Sequence, residues 1–375
     1  PPQTEGGHQI LGGGDDASRR AGIEMGSGVE KNFVTAVIPM DEHVQSSDIE
    51  EILTATGASQ SGPLSPDLLR KLPAVLRKKK GAVTVTTFNG NILDIEVGDT
   101  TEHKYGMAFD IGTTSICGSL LDLDTGEQLA SVGEINPQSV YGGDLMSRLA
   151  FAQFDLGNLR KLRARAIQAI SGQIKEACEK ADVSPEHIYK VVVVGNTAMH
   201  HIFLGIDPTY IGLAPYSPSI RDAIEMPARD LMLKTIPNAT VCMLPIVAGF
   251  VGADAMGAIL ATRIFESEEI RALVDIGTNG EVIMGHKGKL MACSAPAGPA
   301  LEGAQIKHGM RGAIGAIEKV HIDDDVICET IGNAPATGIC GSGLIDAAAN
   351  MLKSGVLQAS GRLRNKDDES LPPAL

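Results

Sequence analysis

The chain has 375 residues, 43% of them hydrophobic, which is enough to bury cores in two or three domains. Tryptophan is absent, aromatics make up 3% and the net charge is −14, a combination that excludes nucleic-acid binding by base stacking or by a basic field. A phosphate-bearing ligand of so acidic a protein must be held by local backbone amides and a metal ion.

Residues 1–32 are polar and Gly-rich without periodicity and read as a linker or disordered leader. Phe33–Ile38 is a short β-type run ended by Pro39. Asp48, with Glu51 three positions on, reads as the N-cap of a helix reaching about Thr56. Ser65-Pro66 opens a second helix that ends in the basic run Arg77–Lys80 before Gly81, with cations suited to a helix C-terminus. Val83–Phe88 and Ile92–Val97, joined by Asn89-Gly90-Asn91, carry a strong hairpin signal. Residues 33–103 therefore read as a small α+β domain.

From Tyr105 the pattern becomes that of a larger α/β unit. Gly106–Asp110, Ile116–Asp122 and Gln128–Glu134 read as successive strands, followed by helices at about 143–154 and 158–181. Val191–Val194 is a continuous apolar run expected of a strand buried on both faces. Val241–Leu244 reads as a strand and Val247 to about Arg263 as a small-residue helix. A second set of strands follows at Leu273–Ile276, 281–285 and 289–294. No apolar run reaches the roughly 18 uncharged residues of a membrane span, and no signal region opens the chain, so a soluble protein is expected. None of the six cysteines stands in a close pair, which excludes a sequence-local zinc or iron–sulfur site; they read as reduced, packed thiols of a cytoplasmic protein. His200-His201 point to different faces of a helix, which argues against a shared metal.

One motif occurs twice. Ala108-Phe109-Asp110-Ile111-Gly112-Thr113-Thr114-Ser115 returns as Leu273-Val274-Asp275-Ile276-Gly277-Thr278-Asn279-Gly280, each copy in a strand–turn–strand setting. The apolar strand delivers an Asp at its end, and the Gly lets the backbone turn so that amide N–H groups face phosphate oxygens. Thr, Ser and Asn add neutral donors, and the carboxylate orients metal-bound water. Two such hairpins facing one another would bracket the β- and γ-phosphates of ATP with Mg²⁺ between them. Neither a Walker loop nor a strand followed by G-x-G-x-x-G is present, so P-loop and Rossmann sites are not expected.

The twin hairpins resemble the two phosphate motifs of the actin/heat-shock/sugar-kinase (ASKHA) superfamily, and Leu244–Asp254 resembles its connecting helix, with Leu244 where the chaperones carry an acidic residue. Tyr141–Arg148, Val194–Met199, Leu204–Pro208, Ala295–Ala304, Gly309–Gly312 and Gly338–Asp346 are similar to motifs of the reductive activators of corrinoid proteins, from about Phe33 to Arg362. The resemblance implies an α/β fold: an actin-like (ribonuclease H-like) ATPase with duplicated subdomains at 104–264 and 265–375, preceded by the small α+β domain at 33–103, similar to that family's middle or dimerisation domain. It implies ATP-driven reduction of cob(II)alamin to cob(I)alamin on corrinoid proteins of methyltransferase systems, by a homodimer. In that family an iron–sulfur ferredoxin domain precedes the linker and further sequence completes the second subdomain, so the chain reads as a fragment lacking both ends.

The candidate site follows. Asp110 and Asp275 are the expected catalytic carboxylates and the Mg²⁺ holders through water. Gly112, Thr113, Thr114, Ser115, Gly277, Thr278, Asn279 and Gly280 form the expected phosphate cradle. Asn196 and Thr197, ending a buried strand, are placed in the pocket. Gly341, Ser342 and Gly343 lie in a Gly-rich turn that either meets nucleotide or packs a strand against a helix, and Cys340 beside them reads as a packed thiol. A small-molecule kinase, a dehydratase-type metalloenzyme activator and a non-catalytic docking fragment are the alternatives.

Overall fold

The computed structural model describes residues 26–38, 45–277, 279–298, 306–310, 312, 314–323 and 325–365, and the chain divides into two units, one within Ala17–Gly257 and one from Ala258 onward. In the first unit, β1 (Val29–Thr35), β2 (Ala82–Phe88) and β3 (Asn91–Val97) form an antiparallel sheet in the order β1-β2-β3. The first strand starts at Val29, inside the stretch read as leader, because Val29 pairs opposite Phe88; residues 1–25 and Pro39 lie outside the described residues. The β2–β3 turn places Asn89 and Gly90 at positive φ (49° and 79°), as the Asn-Gly signal requires.

Two helices cover this sheet, α1 (Asp48–Thr56) and α2 (Pro66–Lys78). The cap of α1 is Ser47 rather than Asp48: its hydroxyl accepts from Glu50 N and the Glu50 carboxylate accepts from Ser47 N (2.6 Å). Asp48 instead takes a forked pair of hydrogen bonds from Arg77 (2.7 and 3.0 Å), so the basic end of α2 clamps the start of α1. Leu68, Leu72 and Leu76, four residues apart, form one buried stripe against Ile52, Val83, Val85 and Ile95.

The larger sheet comprises β4 (Tyr105–Ile111), β5 (Ser115–Asp122), β6 (Gln128–Ile135), β7 (Ile188–Gly195), β8 (Ile224–Pro227) and β9 (Thr240–Met243), ordered β6-β5-β4-β7-β9-β8. The meander β4–β5–β6 is antiparallel, whereas β4–β7 and β7–β9 are parallel. Helices α3 (Leu145–Ala152), α4 (Leu156–Ala181) and α5 (Thr197–Leu204) accompany it. Leu162, Ala166, Ile170, Ile174 and Ala177 give α4 a continuous apolar stripe, buried with Phe109, Ile116 and Leu120. Val191 and Val193 are fully buried, but Val192 and Val194 are half-buried, so β7 is sealed on one face rather than two.

The small sheet is fixed to the large one through buried charge. Lys31, its side chain 1% exposed, pairs with Glu96 (2.6 Å) and donates to the Tyr189 hydroxyl (3.1 Å), which donates in turn to Glu96 (2.9 Å). His187 Nδ1 meets the other Glu96 oxygen at 3.1 Å, and Val29, Phe88 and Tyr189 close over the group with Leu123 and Leu93.

In the second unit, β10 (Arg271–Ile276), β11 (Asn279–His286) and β12 (Lys289–Pro296) form an antiparallel sheet. Another contains β13 (Ala316–Ile322), β14 (Val326–Thr330) and β15 (Gly338–Ile339), ordered β14-β13-β15, with α7 (Gly341–Lys353) packed on β13. The division between units falls inside α6 (Ala253–Thr262). That helix is shorter than the expected span from Val247 to about Arg263. The chain first threads past the start of α5 so closely that a Cβ on Gly252 would stand 2.6 Å from Asn196 Cα, an approach no other residue type permits. No helix among the described residues is long and apolar enough to cross a membrane.

Burial by itself raises the Glu96 pKa, but hydrogen bonds from Lys31, Thr100 and Tyr189 and the Lys31 charge bring it below the ordinary 4.5. Glu96→Gln, which leaves the Lys31 ammonium buried without its carboxylate, is expected to cost about 3–5 kcal/mol in denaturant unfolding. Because the folded carboxylate titrates below the unfolded one, its contribution is present above pH 4.5 and is lost as acid protonates it. The variant should lack that part of the acid dependence.

Candidate functional site

Strand β4 carries Asp110 to the end of the sheet, where the residue is exposed. Antiparallel pairing sets Asp110 opposite Cys117, and parallel pairing sets it opposite Val194 and Ile111 opposite Gly195. The β4–β5 loop, Gly112 to Thr114, thereby lies beside the residue that follows β7. Asn196 Nδ2 donates to Thr113 Oγ1 (3.0 Å), while Asn196 Oδ1 accepts from Met199 N and caps α5. Six of the expected residues are thus gathered at one sheet end: Asp110, Gly112, Thr113, Thr114, Ser115 and Asn196. Thr197 is adjacent but buried, its hydroxyl donating to Ala248 O (2.7 Å), so it ties α5 to the segment before α6.

Beneath the loop lies a polar group that the sequence reading did not single out. Asn136 Nδ2 donates to Gly112 O (2.7 Å) and Asn136 N to Thr114 O (2.9 Å). Asn136 Oδ1 accepts from Gln138 N (3.0 Å), and Arg148 donates to Gln138 Oε1 (3.2 Å) and Gly142 O (2.9 Å). All three side chains are buried. Two sequence signals could have found it: Asn136 precedes Pro137, a turn-opening pair, and Arg148 closes the segment Tyr141–Arg148. Nothing marked Gln138.

Cys117 lies near the loop, its Sγ 4.0 Å from Ser115 Oγ; burial pushes the thiol pKa up, and the charge of Asp110 adds to the rise. It is a protonated, unreactive thiol at neutral pH. On α5, His201 Nδ1 meets Thr197 O (2.8 Å) and its Nε2 accepts from Ser219 N (3.0 Å), the bonds of a neutral structural imidazole. His200 is equally buried, and neither ring nitrogen has a hydrogen-bond partner.

The second hairpin repeats the plan with different support. Asp275 is exposed near the end of β10, Gly277 N donates to Asn279 O (3.1 Å), and Gly280 stands opposite Ile276. Thr278 lies outside the described residues, as do Glu302 and Arg311 of the glycine-rich loops. The register sets Glu281 directly across from Asp275, with Ser294 Oγ donating to Glu281 (2.8 Å). Two carboxylates opposed across strands repel, and a cation beside them offsets that cost. At the start of α7, a Cβ on Gly343 would stand 2.1 Å from Ile317 O, so this glycine serves the packing of helix on strand. Cys340 is a packed thiol beside Ile317 O (3.2 Å) and Ser342 Oγ (3.2 Å); Gly341 and Ser342 form the first turn of the helix.

Three models of one family match consecutive stretches of the chain. The RACo linker region matches residues 18–102, the RACo middle region 105–267, and the C-terminal domain of RACo, the ASKHA domain, 269–372. The chain is 38% identical over 264 residues to the corrinoid activation enzyme RamQ of Eubacterium limosum, covering 70% of this chain and 44% of that protein. It is 28% identical over 294 residues to a reductase of the Co(II) methylated amine-specific corrinoid protein from Methanosarcina barkeri, covering 70% and 53%. The solved structure of a reductive activator for corrinoid, iron–sulfur protein superposes with a TM-score of 0.81 at 34% identity, over 92% of this chain and 56% of that one. The chain spans about half the length of the curated relatives it matches.

Beside the loop, burial, with a smaller push from His201, lowers the His200 pKa to about 4. Between pH 6.5 and about 4 the unfolded chain takes up a proton that the folded chain refuses, so folding loses about 3 kcal/mol across that window as pH falls. Unfolding midpoints measured at pH 7 and pH 5 should therefore lie closer together in His200→Phe than in the parent.

Proposed function

Because the chain belongs to the RACo family, whose linker, middle and C-terminal ASKHA regions it carries in order, we propose that it is the nucleotide-driven portion of a reductive activator of a corrinoid protein. The observation that carries the nucleotide reading is the pinned loop. With the carbonyls of Gly112 and Thr114 held by Asn136, the N–H groups of Thr113 and Ser115 point the other way, since the carbonyl and the following N–H of a trans peptide are opposed. Together with the hydroxyls of Thr113, Thr114 and Ser115, they make a neutral donor set for a phosphate. Exposed Asp110 supplies a hard oxygen ligand beside this loop, and within the second unit the second hairpin carries its own exposed carboxylate, Asp275, across from Glu281. Such oxygens fit Mg²⁺ held through water, which when bound would neutralise charge on the β- and γ-phosphates.

In this proposal ATP and water become ADP and phosphate. The favoured protein state in each nucleotide form differs in its affinity for the corrinoid partner, a protein of a methyltransferase system. One electron converts cob(II)alamin to cob(I)alamin there. The described residues gather no group of three or more His, Cys, Asp or Glu side chains for a metal, and all six cysteines are free thiols. They do not fit an iron–sulfur cluster, and the electron is assigned to a low-potential one-electron carrier outside the described residues. Homodimerisation and a cytoplasmic location belong to the same proposal and rest on the family membership.

Asp110→Ala and Asp275→Ala in the intact protein are each expected to lower Mg·ATP hydrolysis at least ~100-fold. Turnover retained in both variants would overturn the assignment. Calorimetric titration with Mg·ATP, on the parent and on each variant, separates lost binding from lost chemistry.

A further inference from the structure

We infer that Asn136 is the positioning residue of the nucleotide phosphate loop, and that Arg148 sets it through Gln138. The inference rests on the nucleotide reading above and gives these residues a role that the motifs did not assign.

Asn136 is the first residue beyond β6, and it bonds two carbonyls of the β4–β5 loop, one through its side chain and one through its backbone. An asparagine amide must choose which end faces the loop, because only its NH2 can donate. Here the choice is forced: Oδ1 is taken by Gln138 N, leaving Nδ2 for Gly112 O and for Gln138 Oε1 (3.3 Å). Gln138 is oriented in turn at both ends of its side chain, with Nε2 donating to Leu162 O (3.1 Å) and Oε1 accepting from Arg148. The guanidinium cannot turn around, because its Nε is held on Gly142 O and it only donates. Met199 Sδ, 3.7 Å from Arg148 and 3.9 Å from Asn136 Nδ2, closes the group against α5.

The series therefore has one polarity, from Arg148 through Gln138 and Asn136 to the Gly112 carbonyl, and its output is the direction of the Thr113 N–H. The three side chains are buried and Gly112 is half-buried, so the series is held by protein groups up to its last acceptor. A misdirected amide would weaken phosphate binding without altering the groups that touch the phosphate. It would leave intact any interaction the protein makes with the rest of the nucleotide.

The test is steady-state ATP hydrolysis by the intact protein, with thermal unfolding measured in parallel, for Asn136→Ala, Arg148→Met, the double variant and Ile174→Ala. The last is a core truncation on α4 outside this group. Asn136→Ala should raise KM for Mg·ATP about tenfold or more. Arg148→Met should raise it less, and the double variant should be no worse than Asn136→Ala alone, because the two act in series. Ile174→Ala should lose comparable thermal stability while keeping KM within twofold of the parent. Should Asn136→Ala fail to fold, Gln138→Leu reads the same series one link out, with the same non-additivity against Arg148→Met. A KM unchanged in Asn136→Ala, multiplying effects in the double variant, or an equal rise in KM for Ile174→Ala would each overturn the inference. Failure of the parent itself to bind or hydrolyse ATP would instead remove the nucleotide reading beneath it.

Discussion

The candidate site depends on β4 being paired on both edges, antiparallel to β5 and parallel to β7. The first pairing makes the loop after Asp110 a tight reversal, and the second brings a distant piece of chain to its side. A parallel partner cannot be reached by a short turn, so the chain between β6 and β7 must travel the length of the sheet and return. Helix α4 makes that journey, and its apolar stripe seals the face beneath β4. The same excursion contains Asn136, Gln138 and Arg148, which is why the support of the loop comes from residues between the first hairpin and β7.

Much of this was legible in the sequence because periodicity and turn chemistry are local. The Asn89-Gly90 hairpin, the long α4 helix and both Asp-Ile-Gly-Thr hairpins follow from patterns a few residues long. What was not legible is what backbone crossings decide. Gly252 reads as one more small residue of a helix, yet the closeness of Asn196 keeps it out of α6. Val192 and Val194 read as buried on composition, but one face of β7 is only partly covered. Gly343 had two readings that the sequence could not separate, and the carbonyl of Ile317 separates them. Gln138 carries no motif, and its role appears only when Leu162 and Arg148, far from it in sequence, stand at either end of its amide.

The two hairpins share a sequence but not an environment. In the first, carbonyls and hydroxyl are each engaged by an asparagine from another element. In the second, the turn is closed within itself by Gly277 and Asn279, and the residue opposite the aspartate is a carboxylate rather than a thiol. Repetition of a motif thus fixes the local path of the chain, while its surroundings differ: the first copy is tied by asparagines from other elements, and the second sets two carboxylates opposite each other. An acidic protein can hold a polyphosphate only through such local arrangement, with a cation making up what the net field opposes.

The Lys31–Glu96–Tyr189 group gives β7 a second meaning. Tyr189 lies near one end of that strand and Asn196 just beyond the other, about 23 Å apart at 3.3 Å per residue. The stretch that sequence texture suggests is a connector is therefore bolted to a stiff rod whose far end touches the loop at Thr113. The two contacts sit at opposite ends of one strand, so the small sheet and the Thr113 hydroxyl are joined by a single continuous piece of backbone.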